Sequence, residues 1–194
     1  IIAGKGGHIG GDMSIMEILV ELYMKQMNIS PENKDLDNRD RFVLSKGHSV
    51  ESYYAVLAKK GFFPMEEVIS TFSQFGSKFI GHPNNKLPGI EMNSGSLGHG
   101  LPVCVGMAMA GKMDRKDYRV YVVMGDGELA EGSVWEGAMA ASHYCLDNLC
   151  AVVDRNRLQI SGCTEDVMGH DDLHERFRSF GWHVIDVADG NDID

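Results

Sequence analysis

Two short Val-rich runs, each followed closely by a residue that can ligate a cation, constrain this chain more than any other feature. The first, Tyr118-Arg-Val-Tyr-Val-Val-Met124, closes on Gly125-Asp126-Gly127. The second, Leu149-Cys-Ala-Val-Val-Asp154, delivers Asn156. The segment between them reads as a helix, so the whole reads as a βαβ unit. It places a carboxylate at the tip of one strand and an amide at the tip of the next. Ligands of open parallel sheets bind at those carboxyl ends. A hard cation such as Mg²⁺ takes few protein oxygens and keeps room for phosphate oxygens. Glycines on both sides of Asp126 let the backbone approach a diphosphate. An isolated Gly-Asp-Gly is also a common turn. The Asn at the neighbouring strand end supplies a second oxygen and favours a magnesium–diphosphate site with Asp126 and Asn156 as ligands.

The rest of the chain alternates in the same way. Ser14-Ile15-Met16-Glu17 has capping-box spacing, with Asp12 as a second candidate cap. Ile15, Ile18, Leu19, Leu22 and Gln26 then follow a helical period to near Asn28. Arg41 to Leu44 is a short strand candidate. Glu51 to Lys60 is helical and stops at Gly61. Pro64 opens another helix, with Glu66 and Glu67 near its positive end. Residues 76–100 are glycine-rich and irregular, but they contain Phe, Ile and Leu, which predicts a packed binding loop. Helices follow at Leu101–Gly111, Ser133–Tyr144 and Asp171–Phe180, with a last strand at Trp182–Val187. Such alternation means an α/β fold, a parallel β-sheet with helices on both faces. No linker or repeat splits the chain, so residues 1–194 form one domain.

Composition narrows the function. The 194 residues are 43% hydrophobic and 24% charged, ordinary for a globular domain. A net charge of −10 argues against a nucleic-acid partner. No run of about 20 apolar residues suggests a membrane span. The four cysteines, Cys104, Cys145, Cys150 and Cys163, form no Cys-x-x-Cys pair. Cys104, Cys145 and Cys150 lie in apolar segments and read as small buried hydrophobes. A reducing, cytoplasmic compartment fits.

Five motifs in order resemble one family. They are Gly6-Gly7-His8-Ile9-Gly10-Gly11; Asn38 to His48, ending Leu44-Ser45-Lys46-Gly47-His48; Gly81-His82-Pro83 with Leu87-Pro88-Gly89; Gly95-Ser96-Leu97-Gly98-His99-Gly100; and Gly125-Asp126-Gly127 to Asn156. Together they resemble the transketolases, and the local wording is most similar to the N-terminal subunits of split, two-chain transketolases. The resemblance covers nearly the whole chain. It implies the thiamine-diphosphate-binding fold, with further material before Ile1 and after Asp194.

The resemblance also implies roles. Thiamine diphosphate and Mg²⁺ (or Ca²⁺ or Mn²⁺ in its place) are the expected cofactors. Asp126, Asn156 and the backbone carbonyl of Leu158 match the metal ligands. His48, Gly127 and Asn156 match positions near the diphosphate. Gly95, Ser96 and Leu97 match the pyrimidine-binding loop, Gly95 by its carbonyl and Leu97 by packing. His8 and His82 match histidines that face the donor ketose. Histidine suits proton traffic near neutral pH. Glu131 matches a glutamate at an intersubunit contact, with a role in proton coupling between sites. The implied reaction moves a two-carbon ketol unit from a ketose phosphate to an aldose phosphate.

The family's activating glutamate and its main acceptor-phosphate arginines lie in a separate domain that this chain lacks. The implied partner is therefore a C-terminal subunit with pyrimidine-binding and C-terminal domains, assembled as a dimer of heterodimers. His99 and Asp12 depart from the family pattern. Asp12 near a phosphosugar path is unfavourable unless it is turned into a helix cap. Alternatives are a deoxyxylulose-phosphate synthase, a 2-oxo acid dehydrogenase subunit, or a non-catalytic cofactor-binding module. A nicotinamide dinucleotide domain lacks its Gly-x-Gly-x-x-Gly turn here.

Overall fold

Alternation along one central strand organises the molecule. In the computed structural model, which describes residues 2, 4, 6–160 and 162–192, strand β1 is Arg41–Leu44, β2 is Val120–Gly125 and β3 is Leu149–Asp154. They form one parallel sheet in the order β1-β2-β3. Successive side chains of a strand point to opposite faces. Tyr121 and Val123 of β2, with Phe42 and Leu44 of β1, enter one apolar core. Val120, Val122 and Met124, with Val43, enter the other.

Helices close both cores. On the first face lie α1 (Ile9–Ser14), α2 (Met16–Glu21), a π turn at Leu22–Gln26, α3 (Val50–Lys60) and α4 (Met65–Thr71). On the second lie α5 (Gly100–Met113) and α6 (Gly132–His143). A short antiparallel pair, β4 (Leu158–Gln159) and β5 (Gly162–Cys163), follows β3. It leads to α7 (Thr164–Met168) and α8 (Leu173–Ser179). The expected α/β fold with helices on both sheet faces is what forms. No helix among the described residues is long and apolar enough to cross a membrane.

Several local signals act as expected. Gly61 ends α3 with φ +98°, a left-handed conformation that suits glycine. Asp172 caps α8 by accepting the Glu175 amide at 3.1 Å. The loop before α5 buries Phe79, Leu87 and Ile90, so it is packed.

Other expectations fail. The first helix begins at Ile9, so Ser14 is its last residue and not a cap. The Ser14 hydroxyl instead donates to Asp154, 140 residues away. Asp12 caps a different helix: its Oδ1 accepts the Ser52 amide at 3.0 Å, in the first turn of α3. Residues 182–187 form no strand, and Ile185 and Val187 are exposed. The segment is anchored by Trp182 Nε1 on the Ala138 carbonyl, and no described strand pairs with it. Cys104 is buried, but Cys145 and Cys150 are exposed. Cys145 occupies a left-handed turn after α6, and Cys150 lies on an outer strand of the sheet. The hairpin β4–β5 and helix α7 were not expected from the sequence.

Candidate active site

The carboxyl ends of β2 and β3 build one corner of the site. The Asp126 amide donates to the Asp154 carbonyl at 3.1 Å, which brings the two strand ends together. The Asp126 side chain is buried. Its Oδ1 accepts the Gly127 amide and its Oδ2 accepts the Arg157 amide, both at 2.9 Å. Arg157 has φ +63°, an unusual backbone state for a residue other than glycine. This twist sits between Asn156 and Leu158, the two expected ligand positions. Asn156 Oδ1 accepts the Leu158 amide at 2.9 Å, and its Nδ2 donates to Asp154 at 3.0 Å.

This corner suits a hard cation. Among the described residues no group of three His, Cys, Asp or Glu side chains can hold a metal ion. A metal here must therefore use mixed oxygens. One carboxylate, one amide oxygen and one backbone carbonyl are such a set, and they leave room for phosphate. Each Asp126 oxygen takes a single amide donor and keeps a lone pair.

The histidine loops converge on a second corner. The His8 and His48 rings meet edge to face, with centroids 5.4 Å apart. Gly95 has φ +127°, and a Cβ placed there would lie 2.3 Å from His82 Cδ2. A Cβ on Gly47 would lie 2.8 Å from the Gly95 amide. So the His48 loop, the His82 loop and the Gly95 loop are in direct contact, and glycine is required where they touch. The Tyr54 hydroxyl pins the second of these loops through the His82 carbonyl at 2.9 Å. Ser94 Oγ fastens the third to the Leu44 carbonyl at 2.5 Å. Ser96 is exposed and Leu97 half-buried.

Gly98 extends this contact to Glu131: a Cβ on Gly98 would lie 2.6 Å from the Glu131 Cβ. Glu131 itself is exposed. Leu158 is exposed too, and Gly127 lies against Gln159. Asp12 is only 3% exposed and turned into the α1–α3 junction, away from any sugar path. His99 is exposed, with Nδ1 3.2 Å from the Leu97 carbonyl.

Burial, then the charge of Lys46, lowers the His48 pKa to about 4, and His8 and His82 act in the same direction. His82 is lowered for the same first reason, followed by His8. His48 is thus neutral across the physiological range. In a proton NMR titration of this chain, its ring should titrate near pH 4. A group with a depressed folded pKa binds fewer protons folded than unfolded between the two values. His48 should therefore add stability above its unfolded value near 6.5, and lose that contribution as pH falls toward 4. A midpoint above about 6 would show a loop open to water.

Two further residues, not marked out by any motif, tie these corners together. Glu128 is 2% exposed. Its Oε1 accepts the Gly98 amide at 2.8 Å and the Ser45 hydroxyl, and its Oε2 accepts the Gly125 amide at 3.2 Å. Burial raises its pKa, against the pull of the Ser45 hydrogen bond and the two amides. Lys46, in the His48 loop, is 1% exposed and forms an ion pair with Asp154 at 2.5 Å. An acid inside a Gly-rich strand end was the available signal for Glu128. Nothing local marked Lys46.

Comparison with known proteins agrees with this geometry. The family described as "Transketolase, thiamine diphosphate binding domain" matches residues 1–194. The chain belongs to the transketolase family. One of the two subunits of the apulose-4-phosphate transketolase of Phocaeicola vulgatus is 53% identical over 187 residues, which is 96% of this chain and 66% of that protein. The 6-deoxy-6-sulfo-D-fructose transketolase subunit SqwG of a Clostridium species is 43% identical, covering 97% of this chain and 68% of that protein. Human transketolase is 40% identical over 99% of this chain, but only 31% of its own length is matched. The solved transketolase of Leishmania mexicana superposes with a TM-score of 0.88 at 32% identity, over 98% of this chain and 30% of that one. This transketolase-family chain thus spans about two thirds of the subunit relatives and under a third of human transketolase.

Proposed function

We propose that this chain is the diphosphate-binding subunit of a two-chain transketolase. It transfers a two-carbon ketol unit from a ketose phosphate to an aldose phosphate. The observation that carries this reading is the contact of three histidine loops with Gly95, beside a strand-end corner of mixed oxygens. Asp126, Asn156 and the Leu158 carbonyl hold Mg²⁺. Gly127, Asn156 and His48 line the diphosphate. Gly95, Ser96 and Leu97 receive the pyrimidine ring. Thiamine diphosphate, when bound, supplies the nucleophilic carbon and electron sink for carbon–carbon cleavage.

His8 and His82 orient the donor ketose through its carbonyl and terminal hydroxyl. His82, with its lowered pKa, is poised to accept and return a proton at neutral pH. Glu131, exposed and seated against the Gly98 loop, couples protonation to a neighbouring protomer. The partner is a C-terminal subunit that brings the pyrimidine-binding domain, and the assembly is a dimer of heterodimers. Two of the relatives are named for apulose 4-phosphate and for a sulfonated fructose, which supports a sugar or sugar-phosphate substrate. Exposed thiols at Cys145 and Cys150 fit a reducing cytoplasm.

The test is reconstitution. The chain is co-purified with a pyrimidine-domain partner and assayed on a panel of donors and acceptors, with and without thiamine diphosphate and Mg²⁺. Transfer should require both chains and both cofactors. Robust turnover by this chain alone, or pyruvate consumption in place of ketol transfer, refutes the proposal.

A further inference from the structure

Asp154 has no place in the ligand set above, yet it lies at the centre of the site. It ends β3 and is 6% exposed. Its Oδ1 accepts the Ser14 hydroxyl at 2.6 Å. Its Oδ2 accepts Lys46 Nζ at 2.5 Å and Asn156 Nδ2 at 3.0 Å. Lys46 Nζ also reaches the Gly11 carbonyl at 3.4 Å. With both oxygens engaged and shielded, Asp154 does not ligate a metal. With its ammonium buried and paired, Lys46 is not a diphosphate ligand either.

A buried ion pair is weak evidence for stability, since an apolar pair of similar volume often does as well. Its presence here calls for something that it specifies. The two ends of an Asn amide are nearly identical in shape but opposite in chemistry: one end only donates, the other only accepts. A cation takes the oxygen alone. An Asn ligand must therefore be told which way to face.

We infer that Asp154 is a positioning residue: held ionised by Lys46, it captures the NH₂ end of Asn156 and so commits Oδ1 to the metal–diphosphate corner. The same carboxylate fixes Ser14, at the end of the helix that follows His8, and Lys46, two residues before His48. It thereby sets the histidine loops in register with the metal corner. This inference rests on the metal-site reading above. It adds a group that touches neither metal nor substrate.

The experiment measures Mn²⁺ binding by electron paramagnetic resonance in the reconstituted two-chain complex with thiamine diphosphate. Loss of a partner that orients a metal ligand typically weakens metal binding 10–100-fold, and Asp154→Asn should fall in that range. The swap Asp154→Asn with Asn156→Asp supplies a ligand with oxygen at both ends, which needs no orienting. It should return binding to within about fivefold of the parent. A purely scaffolding role predicts no such rescue. Parent-like binding by Asp154→Asn overturns the inference, and so does a folded swap variant that binds as poorly as the single variant. Should Asp154→Asn fail to fold, the swap is read alone, and binding more than about tenfold weaker than the parent overturns it. A parent complex that binds no Mn²⁺, or an Asp126→Ala complex that binds like the parent, instead refutes the metal site itself.

Discussion

Asp126→Ala is expected to abolish cofactor-dependent transfer in the two-chain complex. It should also weaken thiamine diphosphate and Mg²⁺ binding by more than about 100-fold, beyond what losing an outer partner costs. Two losses combine. The corner forfeits its only carboxylate available for the cation, and the Gly127 and Arg157 amides forfeit their acceptor. The second loss matters because Arg157 is held at φ +63°. Such strained states persist only while their surroundings enforce them. Without Asp126, the turn that presents Asn156 and Leu158 can relax. Equilibrium dialysis of labelled cofactor measures the effect, and Asp126→Asn, which keeps one oxygen, should lose less. Undiminished binding by the alanine variant would remove the basis of the site.

The second large effect is on the fold. Glu128→Ala leaves three buried donors without their acceptor: the Ser45 hydroxyl and the Gly98 and Gly125 amides. Each unsatisfied buried group costs about 1–3 kcal/mol. The Ser45 hydroxyl can rotate to another acceptor, so a total loss of roughly 3–5 kcal/mol is expected. That is a large share of the roughly 5–15 kcal/mol by which domains are stable. Denaturant titration of the chain measures it, as a fall in midpoint at constant slope. A loss below about 1 kcal/mol would mean that water replaces the carboxylate at little cost. Glu128 also joins the Gly98 loop to the end of β2, so cofactor affinity should fall with stability.

The legible parts of this chain are those decided by neighbours in sequence. Valine-rich runs announced β2 and β3, and Gly61 announced the end of α3. The illegible parts are those decided by distant partners. Ser14 has the spacing of a cap, but Asp154 captures its hydroxyl. Residues 182–187 have strand composition, yet strand propensity is realised only by packing and pairing, and no described strand pairs with them. Cys145 and Cys150 have apolar neighbours, and backbone geometry and edge position expose them. The site divides in the same way. Asp126 and Asn156 stand out because they end adjacent strands. The meeting of His8, His48 and His82 follows only from the order of the motifs, since no spacing rule predicts it. Glu128 and Lys46 are charges whose burial depends on partners up to 83 and 108 residues away.

Those separations imply a sequence of assembly. The Asp126–Arg157 hydrogen bond closes a chain segment of 31 residues. The Lys46–Asp154 bridge closes 108, and the Ser14–Asp154 hydrogen bond 140. In entropy the longer closures cost only about 1 kcal/mol more each. In time they cost far more, because remote pairings slow folding steeply. During refolding the cation corner is therefore set to mature first and the histidine cluster last. A newly made chain would acquire its grip on the pyrophosphate before its grip on sugar.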